Sequence, residues 1–210
     1  MKKQRYFLLA VISLLSLTGC SHPVHITKTQ ATVTYSNRLL GKVGLFLPED
    51  VANYSLNVPA SGNACSANSF PIQIGSGLTD ALQTGIQTAC QEMTIFKTIP
   101  TQSMMAAQGV KFIIMPRVNN ADGDIAFSAG FLSTGIKATF QASMTLNLMD
   151  MNGTTFHSFS SNGSGFSTGS GTCGEGANVM AKAVASALQQ VTDNIAQTLN
   201  SSVQVRDALR

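Results

Sequence analysis

The sequence contains little charge and few of the side chains that nucleic-acid-binding proteins concentrate. Tryptophan is absent from its 210 residues, and only 11% of them are charged. Thirteen basic residues stand against ten acidic ones, and without Lys2, Lys3 and Arg5 the balance is ten against ten. A nucleic-acid partner requires a clustered basic footprint, and anionic lipid attracts polybasic segments. The composition therefore argues against both, and we predict no nucleic-acid partner.

Arrangements typical of catalysis are also missing. The ten carboxylates are scattered without a pair placed for acid and base work. No G-x-S-x-G elbow occurs, and His22, His25 and His157, the only histidines, pair with no serine or cysteine nucleophile in sequence. We therefore predict a protein that is not an enzyme, with no cofactor and no metal.

Two partial motifs are weaker than they look. Residues 169–174 match G-x-G-x-x-G before a helix, but no strand follows that helix to complete a dinucleotide-binding unit. Asn119, Asp122 and Asp124 resemble part of a calcium loop that lacks its bidentate glutamate. We interpret the first as a flexible loop that holds Cys173, and the second as a turn.

The first twenty residues have the layout of a secretory signal. Lys2, Lys3 and Arg5 precede an apolar run from Phe7 to Leu17. This run is roughly half of the ~20 residues that a membrane-spanning helix needs. The run closes with Leu17-Thr18-Gly19-Cys20.

This tetrapeptide resembles the lipobox of bacterial lipoproteins. The resemblance implies that the mature chain begins at Cys20, with a diacylglyceryl group on its thiol and a further acyl chain on its amine. The residue after the cysteine is Ser21 and not aspartate, which by the same resemblance implies the outer membrane and its periplasmic face. The membrane is thus an expected partner through the N-terminal lipid.

The rest of the chain divides by composition. We expect a signal peptide over 1–19, a lipidated N-terminus and polar tether over 20–38, a single α+β domain over 39–200, and a polar tail over 201–210. A mature length of about 190 residues suits one domain with a proper core.

Hydrophobic periodicity predicts two helices and several strands. Apolar residues at three- and four-residue steps predict a helix from about Leu78 to Met93, with Ser76 as its N-cap. A second helix begins at Ala177 and carries an apolar stripe. The stripe comprises Met180, Val184, Leu188, Val191, Ile195 and Leu199. Gln102–Gly109 reads as a short helix or turn.

The strands are predicted from alternation and from apolar runs. Ile136–Leu148 alternates strictly between apolar and polar residues, and Asn152-Gly153 predicts a hairpin that returns over Thr154–Ser160. Shorter strands are expected at Leu39–Leu47, Tyr54–Val58, Ile95–Ile99 and Val110–Met115. The last is predicted to end in an edge or bulge after Pro116, with a turn at 119–124, and Ser161–Gly176 reads as a Gly/Ser loop. This order predicts an α+β two-layer sandwich, with a mainly antiparallel sheet and two amphipathic helices on one face.

Three cysteines remain once Cys20 is assigned to lipid. Cys65 and Cys173 lie in Gly/Ser/Asn-rich segments shortly before predicted helices, whereas Cys90 lies on the apolar face of a helix. An oxidising compartment favours disulfides, and a buried free cysteine behaves as a small hydrophobe. We predict a Cys65–Cys173 disulfide and a reduced, buried Cys90.

One apolar cluster lies in loop-like sequence. Phe127, Phe131 and Leu132 are surrounded by glycine, serine and alanine. Core packing is the first alternative for them, and a partner surface or a membrane-inserting hairpin tip is the second.

The lipobox, the mid-chain helix, the hairpin at Asn152-Gly153 and the Ala-rich last helix together resemble YajG-type lipoproteins and, more distantly, CsgG-like secretion lipoproteins. The expected lipid anchor, the single compact domain and the lack of a catalytic arrangement predict a non-catalytic envelope assembly or accessory factor that binds another envelope protein. The alternatives are an oligomeric pore or secretion subunit of the CsgG-like type, and a periplasmic module that binds a small ligand or a metal.

Overall fold

Seven strands form one mixed sheet in the computed structural model, which describes residues 20–26, 28, 30–130 and 134–210. The strands are β1 Leu39–Phe46, β2 Leu56–Gly62, β3 Ser69–Ile72, β4 Cys90–Phe96, β5 Val110–Ala129, β6 Thr134–Met149 and β7 Thr155–Gly171. The helices are α1 Glu49–Ala52, α2 Ile74–Ala89, α3 Gln102–Ala107, α4 Gly176–Ser201 and α5 Val203–Leu209, and a 3-10 helix covers Cys173–Glu175. The predicted signal peptide, Phe131 and Leu132 lie outside the described residues.

The long strand β5 organises the sheet. Along one edge it pairs antiparallel with β6, which pairs antiparallel with β7. Its other edge is shared by two parallel partners, because β1 lies beside Val110–Ile114 and β2 beside Ile125–Phe127. β4 then joins β1 in parallel, and β3 joins β2 antiparallel.

The sheet is therefore mixed, and the expectation of a mainly antiparallel sheet was too simple. The path from β4 through α3 to β5 returns the chain in the same direction, and a helical connection of this kind gives parallel strands. Periodicity identifies a strand but says nothing of the direction of its neighbour.

The core lies between the sheet and the two long helices. The even-numbered side chains of β6 from Ile136 to Leu148 are buried, as the alternation predicted. They share one core cluster with the apolar stripe of α4, and all six predicted stripe residues are fully buried. Helix α2 packs beside α4, and the two come close at Gly85, where an added Cβ would lie 2.9 Å from the carbonyl oxygen of Thr192.

The predicted tether is docked on this body. The first residues, Cys20 to Val24, run parallel to β3 like an extra strand. The amide of Ser69 donates to the Cys20 carbonyl at 3.0 Å, and the amides of His22 and Val24 donate to carbonyls of β3 at 2.9 and 3.0 Å. The side chain of Val24 is buried, and this burial offsets the entropy that a free tether would keep.

The segment then crosses the outside of the helices. Ile26 packs over Gly77 of α2, and the amide of Thr32 donates to Oδ1 of Asp193 in α4 at 2.9 Å. The Thr32 hydroxyl donates to Oδ2 of the same carboxylate. The segment thus lies over the helix layer. The predicted two-layer sandwich did not include such a covering segment.

Strand β5 passes through residues that were expected to end it. Pro116 pairs with Leu146, and 119–124 belong to the strand with a bulge between Val118 and Asn120. Pro116 lies past the last pairing of β5 with β1, at Ile114, and before its first pairing with β2, at Ile125. A proline is tolerated where an edge lacks a strand partner.

Strand β7 replaces the expected Gly/Ser loop. A Cβ at Gly163 would lie 2.0 Å from the Ala187 carbonyl oxygen, and one at Gly165 would lie 1.8 Å from that of Ala183. The glycines therefore mark the close approach of a helix backbone to a strand and not flexibility. The hairpin before β7 is as predicted, with Gly153 at φ +79°.

Other boundaries differ from the prediction. Helix α2 begins at Ile74 without a side-chain cap, so Ser76 is not its N-cap, and Cys90 starts β4 instead of continuing the helix. The expected polar tail is largely helix α5, in which Ser202 accepts a hydrogen bond from the Val205 amide and Val205 is fully buried. Within the described ranges, no helix is both long and apolar enough to cross a bilayer.

Candidate functional site

Cys20 is exposed and lies at one end of the sheet. Strands β2, β5 and β7 end there, and β3 and β6 begin there. We call this end the Cys20 pole, and it comprises Cys20 and residues 63–69, 128–130, 134–135 and 170–175. Asn63 ties two of its segments together, because its amide donates to the Phe127 carbonyl at 3.2 Å and its Oδ1 accepts from the Ala129 amide at 3.0 Å.

A disulfide joins two further segments of the Cys20 pole. Cys65 and Cys173 are bonded, as predicted, with 5.7 Å between their Cα atoms. Cys65 has φ +58°, a left-handed conformation that costs roughly 1–2 kcal/mol for a residue with a side chain. The backbone amide and the side-chain amide of Asn68 both donate to the Cys65 carbonyl at 2.9 Å, and these bonds hold the turn.

His22 contributes to the packing of the Cys20 pole. Its Nε2 is 2.9 Å from Oδ1 of Asn68, and its ring stacks on Phe70 with centroids 5.6 Å apart. Both contacts fix the Cys20 segment against β3. His22 therefore has a structural role that its position in sequence did not indicate.

The Cys20 pole is almost free of charge. Its segments consist of serine, threonine, asparagine, alanine, glycine and cysteine, and Glu175 is their one ionisable acid. Oε2 of Glu175 accepts a hydrogen bond from the Asn178 side chain at 2.9 Å. Neutral hydrogen-bonding groups are left to face outward at this end.

Phe127 belongs to the core and not to a partner surface. Its side chain is 2% exposed and stacks on Phe70 at 5.8 Å between centroids. The structure thus selects the core alternative for this residue. Phe131 and Leu132, the other two members of the predicted cluster, fall outside the described residues.

The opposite end of the molecule carries a cavity. Helix α4 connects the two ends, and its 26 residues span about 39 Å at 1.5 Å per residue. The cavity has a volume of about 610 Å³. We call this end the arginine pole, and its lining residues are Asn37, Arg38, Leu39, Leu40, Asn200, Arg206, Leu209 and Arg210.

A bulge in β1 shapes the arginine pole. The pairing of β1 with β4 is interrupted between Leu39 and Lys42, and a bulge re-aims the side chains beside it. Leu40 consequently points outward and is 71% exposed. Gly41 has φ +125° and lets Leu209 of α5 pack against it, since an added Cβ would lie 2.9 Å from Cδ2 of Leu209.

Three arginines line the cavity together with the exposed Leu40. Arg38 donates to the Gln87 carbonyl at the end of α2, and Arg206 donates to the Ser201 carbonyl, both at 3.0 Å. Arg210 lies 3.6 Å from the carboxylate of Asp207, which is exposed. Arginine presents five donors in a planar fork, so unused donors remain on each group. The arginine pole is suited to a partner that offers anionic groups, carboxylates or phosphates, together with apolar side chains.

The outer face of the sheet holds a smaller, uncharged cavity of about 260 Å³. Amide and hydroxyl side chains line it, among them Asn120, Gln141, Ser143, Asn162, Ser164 and Gln190. Gln190 accepts from the Ser164 amide at 3.1 Å, and Asn194 donates to the Asn162 carbonyl at 2.7 Å. These two side chains form hydrogen bonds with backbone groups on the free edge of β7. They therefore hinder the pairing of another strand with this edge.

Titratable side chains in the described ranges do not form a cluster of metal ligands. These ranges contain no group of three His, Cys, Asp or Glu side chains that could hold a metal ion. The Asn119 side chain donates to the Thr145 hydroxyl and Asp124 accepts from Ser61, so two of the three calcium-like residues bond to neighbouring strands of the sheet. Burial raises the pKa of Cys90 to about 12, against a smaller opposing effect of Arg38, and the thiol stays protonated at neutral pH.

Sequence reasoning missed the arginine pole. The exposed Leu40 could not be separated from its buried neighbours in the run LLGKVGLFL. A signal did exist at the C-terminus, where Val205 and Leu209 are four residues apart and so are Arg206 and Arg210. That spacing predicts an amphipathic turn of helix.

No protein-family model matches the sequence, and no curated protein matches it significantly. Solved structures with a similar chain course include a PelC dodecamer from Paraburkholderia phytofirmans, with a TM-score of 0.33, 15% identity, and coverage of 80% of this chain and 93% of that one. A protein described as a neuraminyllactose-binding hemagglutinin homologue from Helicobacter pylori has a TM-score of 0.41, 13% identity, and coverage of 87% and 92%. A minor lipoprotein from Acinetobacter baumannii has a TM-score of 0.36, 10% identity, and coverage of 77% and 95%. At these values the similarities carry no functional argument, so function is argued from the residues of this chain.

Proposed function

We propose that the chain is a non-catalytic lipoprotein of the bacterial outer membrane, anchored through Cys20 on the periplasmic side, that binds another envelope component through its arginine pole. The observation that carries the proposal is the placement of two features at opposite ends of the molecule. Cys20 is exposed at one end, and the cavity with its exposed Leu40 lies at the other.

The anchor follows from the chemistry of Cys20. Its thiol is free and exposed, and the preceding Leu17-Thr18-Gly19 gives it the sequence context of lipid attachment. A single acyl chain binds a membrane only marginally, whereas two or more give stable anchoring. A thiol-linked diacylglyceryl group with a further acyl chain on the amine would make attachment permanent on a cellular timescale.

A Cys20→Ala variant tests the anchor. In cells fed a palmitate analogue, we expect label on the wild-type protein and none on the variant, which stays as the longer precursor and leaves the processed membrane fraction. Cys90→Ala is the matched control, because it removes the other free cysteine and should retain the label. Label that persists on Cys20→Ala protein would contradict the anchor.

The partner site follows from the electrostatics of the arginine pole. Three arginines, Arg38, Arg206 and Arg210, line the cavity, and Asp207 pairs with Arg210. The predicted mature part of the chain is neutral, so this cavity has a local excess of basic side chains. Arginine is enriched at protein interfaces and among the residues that dominate their binding energy, and covering an exposed apolar side chain such as Leu40 removes apolar surface from water. The partner is expected to offer acidic groups around an apolar side chain that covers Leu40.

A photo-crosslinking residue at Leu40 tests the partner site in intact cells. We expect one defined adduct at Leu40 and none at Ile99, an exposed apolar residue away from the cavity. Arg206→Glu should lower the adduct yield at least about tenfold, since removing one side of a charge pair at an interface costs ~2 kcal/mol or more. Lys97→Glu reverses one charge elsewhere and should leave the yield unchanged. Equal adducts at Leu40 and Ile99, or no effect of Arg206→Glu, would count against this site.

The pore alternative requires the apolar face of β6 to face lipid. In the described fold that face is buried under α4, with Ala138, Phe140 and Leu146 each at most 1% exposed. No observation on the described residues favours a pore over an anchored binding protein.

A further inference from the structure

We propose that the Cys20 pole rests directly on the phospholipid headgroups of the membrane that holds the lipid, so that the molecule stands with its arginine pole outward. The inference rests on the proposed anchoring through Cys20. It adds the surface that faces the membrane, a contact with neutral headgroup chemistry, and a fixed orientation.

In the proposed anchor, no flexible spacer separates Cys20 from the folded body. A free segment of 19 residues, 20 to 38, would have a root-mean-square span of about 24 Å if it behaved as a flexible coil. In the structure the Cys20 carbonyl itself accepts a hydrogen bond from the Ser69 amide at 3.0 Å. Acyl chains on the thiol and amine of Cys20 therefore enter the bilayer directly beside Ser69.

Contacts beyond this one hydrogen bond also hold the segment 20–38 on the body. His22 contacts Asn68 and Phe70, Val24 is buried, and Thr32 is held by the Asp193 carboxylate. Undocking the segment would break these contacts together. The anchor point is thus part of the folded body and moves with it.

The Cys20 pole has the surface chemistry that contact with lipid headgroups requires. Contact with headgroups removes water from the surface, and the loss of hydration is expensive for a charge that finds no partner. The loop 63–69 and the segments 128–130, 134–135 and 170–174 contain no charged residue, and the one acid, Glu175, is bonded to Asn178. Hydroxyl and amide groups can exchange bonds to water for bonds to lipid phosphate and ester oxygens. Such a surface accepts the membrane without needing anionic lipid.

The absence of tryptophan from the chain gives a direct test. The purified lipidated protein is reconstituted in vesicles of brominated phosphatidylcholine, with tryptophan placed either at Ser66 in the Cys20 pole or at Met151 in the hairpin at the far end. A side chain at the headgroup boundary lies close to the brominated acyl chains, so Ser66→Trp emission should fall about twofold relative to unbrominated vesicles. Met151→Trp emission should be unchanged. Ala67→Trp replaces Ser66→Trp if the first variant does not fold.

A linker variant distinguishes two causes of quenching, the direct attachment of the body at Cys20 and the membrane affinity of the introduced tryptophan. About ten Gly/Ser residues inserted between Ser21 and His22 add roughly 17 Å of flexible span, and quenching of Ser66→Trp should then drop to the level of Met151→Trp. Quenching that persists in the linker variant would overturn the proposal, because the tryptophan alone would then hold the pole on the membrane.

Mass measurement on the same samples distinguishes the two levels of inference. Protein without lipid on Cys20 would refute the proposed anchor. Lipidated protein in which Ser66→Trp and Met151→Trp are quenched equally, or in which neither is quenched, would refute the orientation alone.

Discussion

Replacing Gly165 by valine is expected to lower the free energy of unfolding by about 3 kcal/mol, at the upper end of overpacking costs. A Cβ at this position would lie 1.8 Å from the Ala183 carbonyl oxygen and 2.7 Å from the carbonyl carbon. The obstacle is the backbone of α4, which no side-chain rotation can move away. Either α4 shifts from β7 and opens the core, or the strand bends.

Ser164→Val provides the matched control. It introduces the same side chain one residue earlier, on the open face of β7, where Ser164 is exposed. Valine suits a strand, so the control should keep wild-type stability. Thermal unfolding followed by circular dichroism measures both, and a loss of 3 kcal/mol corresponds to roughly 6–12 °C for a domain of this size. Equal midpoints for the two variants would show that the helix does not press on β7 as described.

Removing the disulfide is expected to have the other large effect. Cys65 and Cys173 are 108 residues apart in sequence, and the loop-closure model assigns about 4–5 kcal/mol to a crosslink of this length. The double variant Cys65→Ala/Cys173→Ala should therefore unfold at much lower temperature than the wild type. The Cys20 pole loses its connection between the loop after β2 and the start of α4.

Dithiothreitol provides the internal control for this prediction. Reductant should destabilise the wild type towards the double variant and leave the double variant unchanged. Cys90 does not complicate the measurement, because it is buried and its pKa is raised to about 12. A wild-type midpoint that does not respond to complete reduction would contradict a stabilising role for the bond.

Where one face of an element is buried and the other wet, the sequence predicted the structure well. The alternation of β6 and the stripe of α4 are opposite sides of one core, and each pattern stands out because polar residues occupy the other face. The hairpin at Asn152-Gly153 was predictable for a local reason, since φ is positive at Gly153. The disulfide followed from the composition around each cysteine.

The wrong predictions share a different cause. In each of them, contacts with elements distant in sequence determined the local structure, and a local sequence pattern does not contain those contacts. The glycines of β7 are dictated by the backbone of α4, which is distant in sequence, and Pro116 is tolerated because β1 has already ended. The segment 20–38 looks like a tether until β3 and Asp193 are placed beside it. Cys20 remains a prediction that rests on its sequence motif, whereas the arginine pole was visible only from the bulge at Leu40 and the fold of α5.

The docking of Cys20 to Val24 along β3 also has a mechanical consequence. Force applied between the lipid and the body would load the parallel hydrogen bonds from His22 and Val24 in shear, before any chain could extend. The hydrogen bond from Thr32 to Asp193 would be loaded next, and it would transmit the force to α4. Force on a partner bound at the proposed site in the arginine pole would thus be transmitted to the bilayer through the folded body. The protein would hold the partner at a fixed distance from the membrane, unlike a domain on a flexible tether.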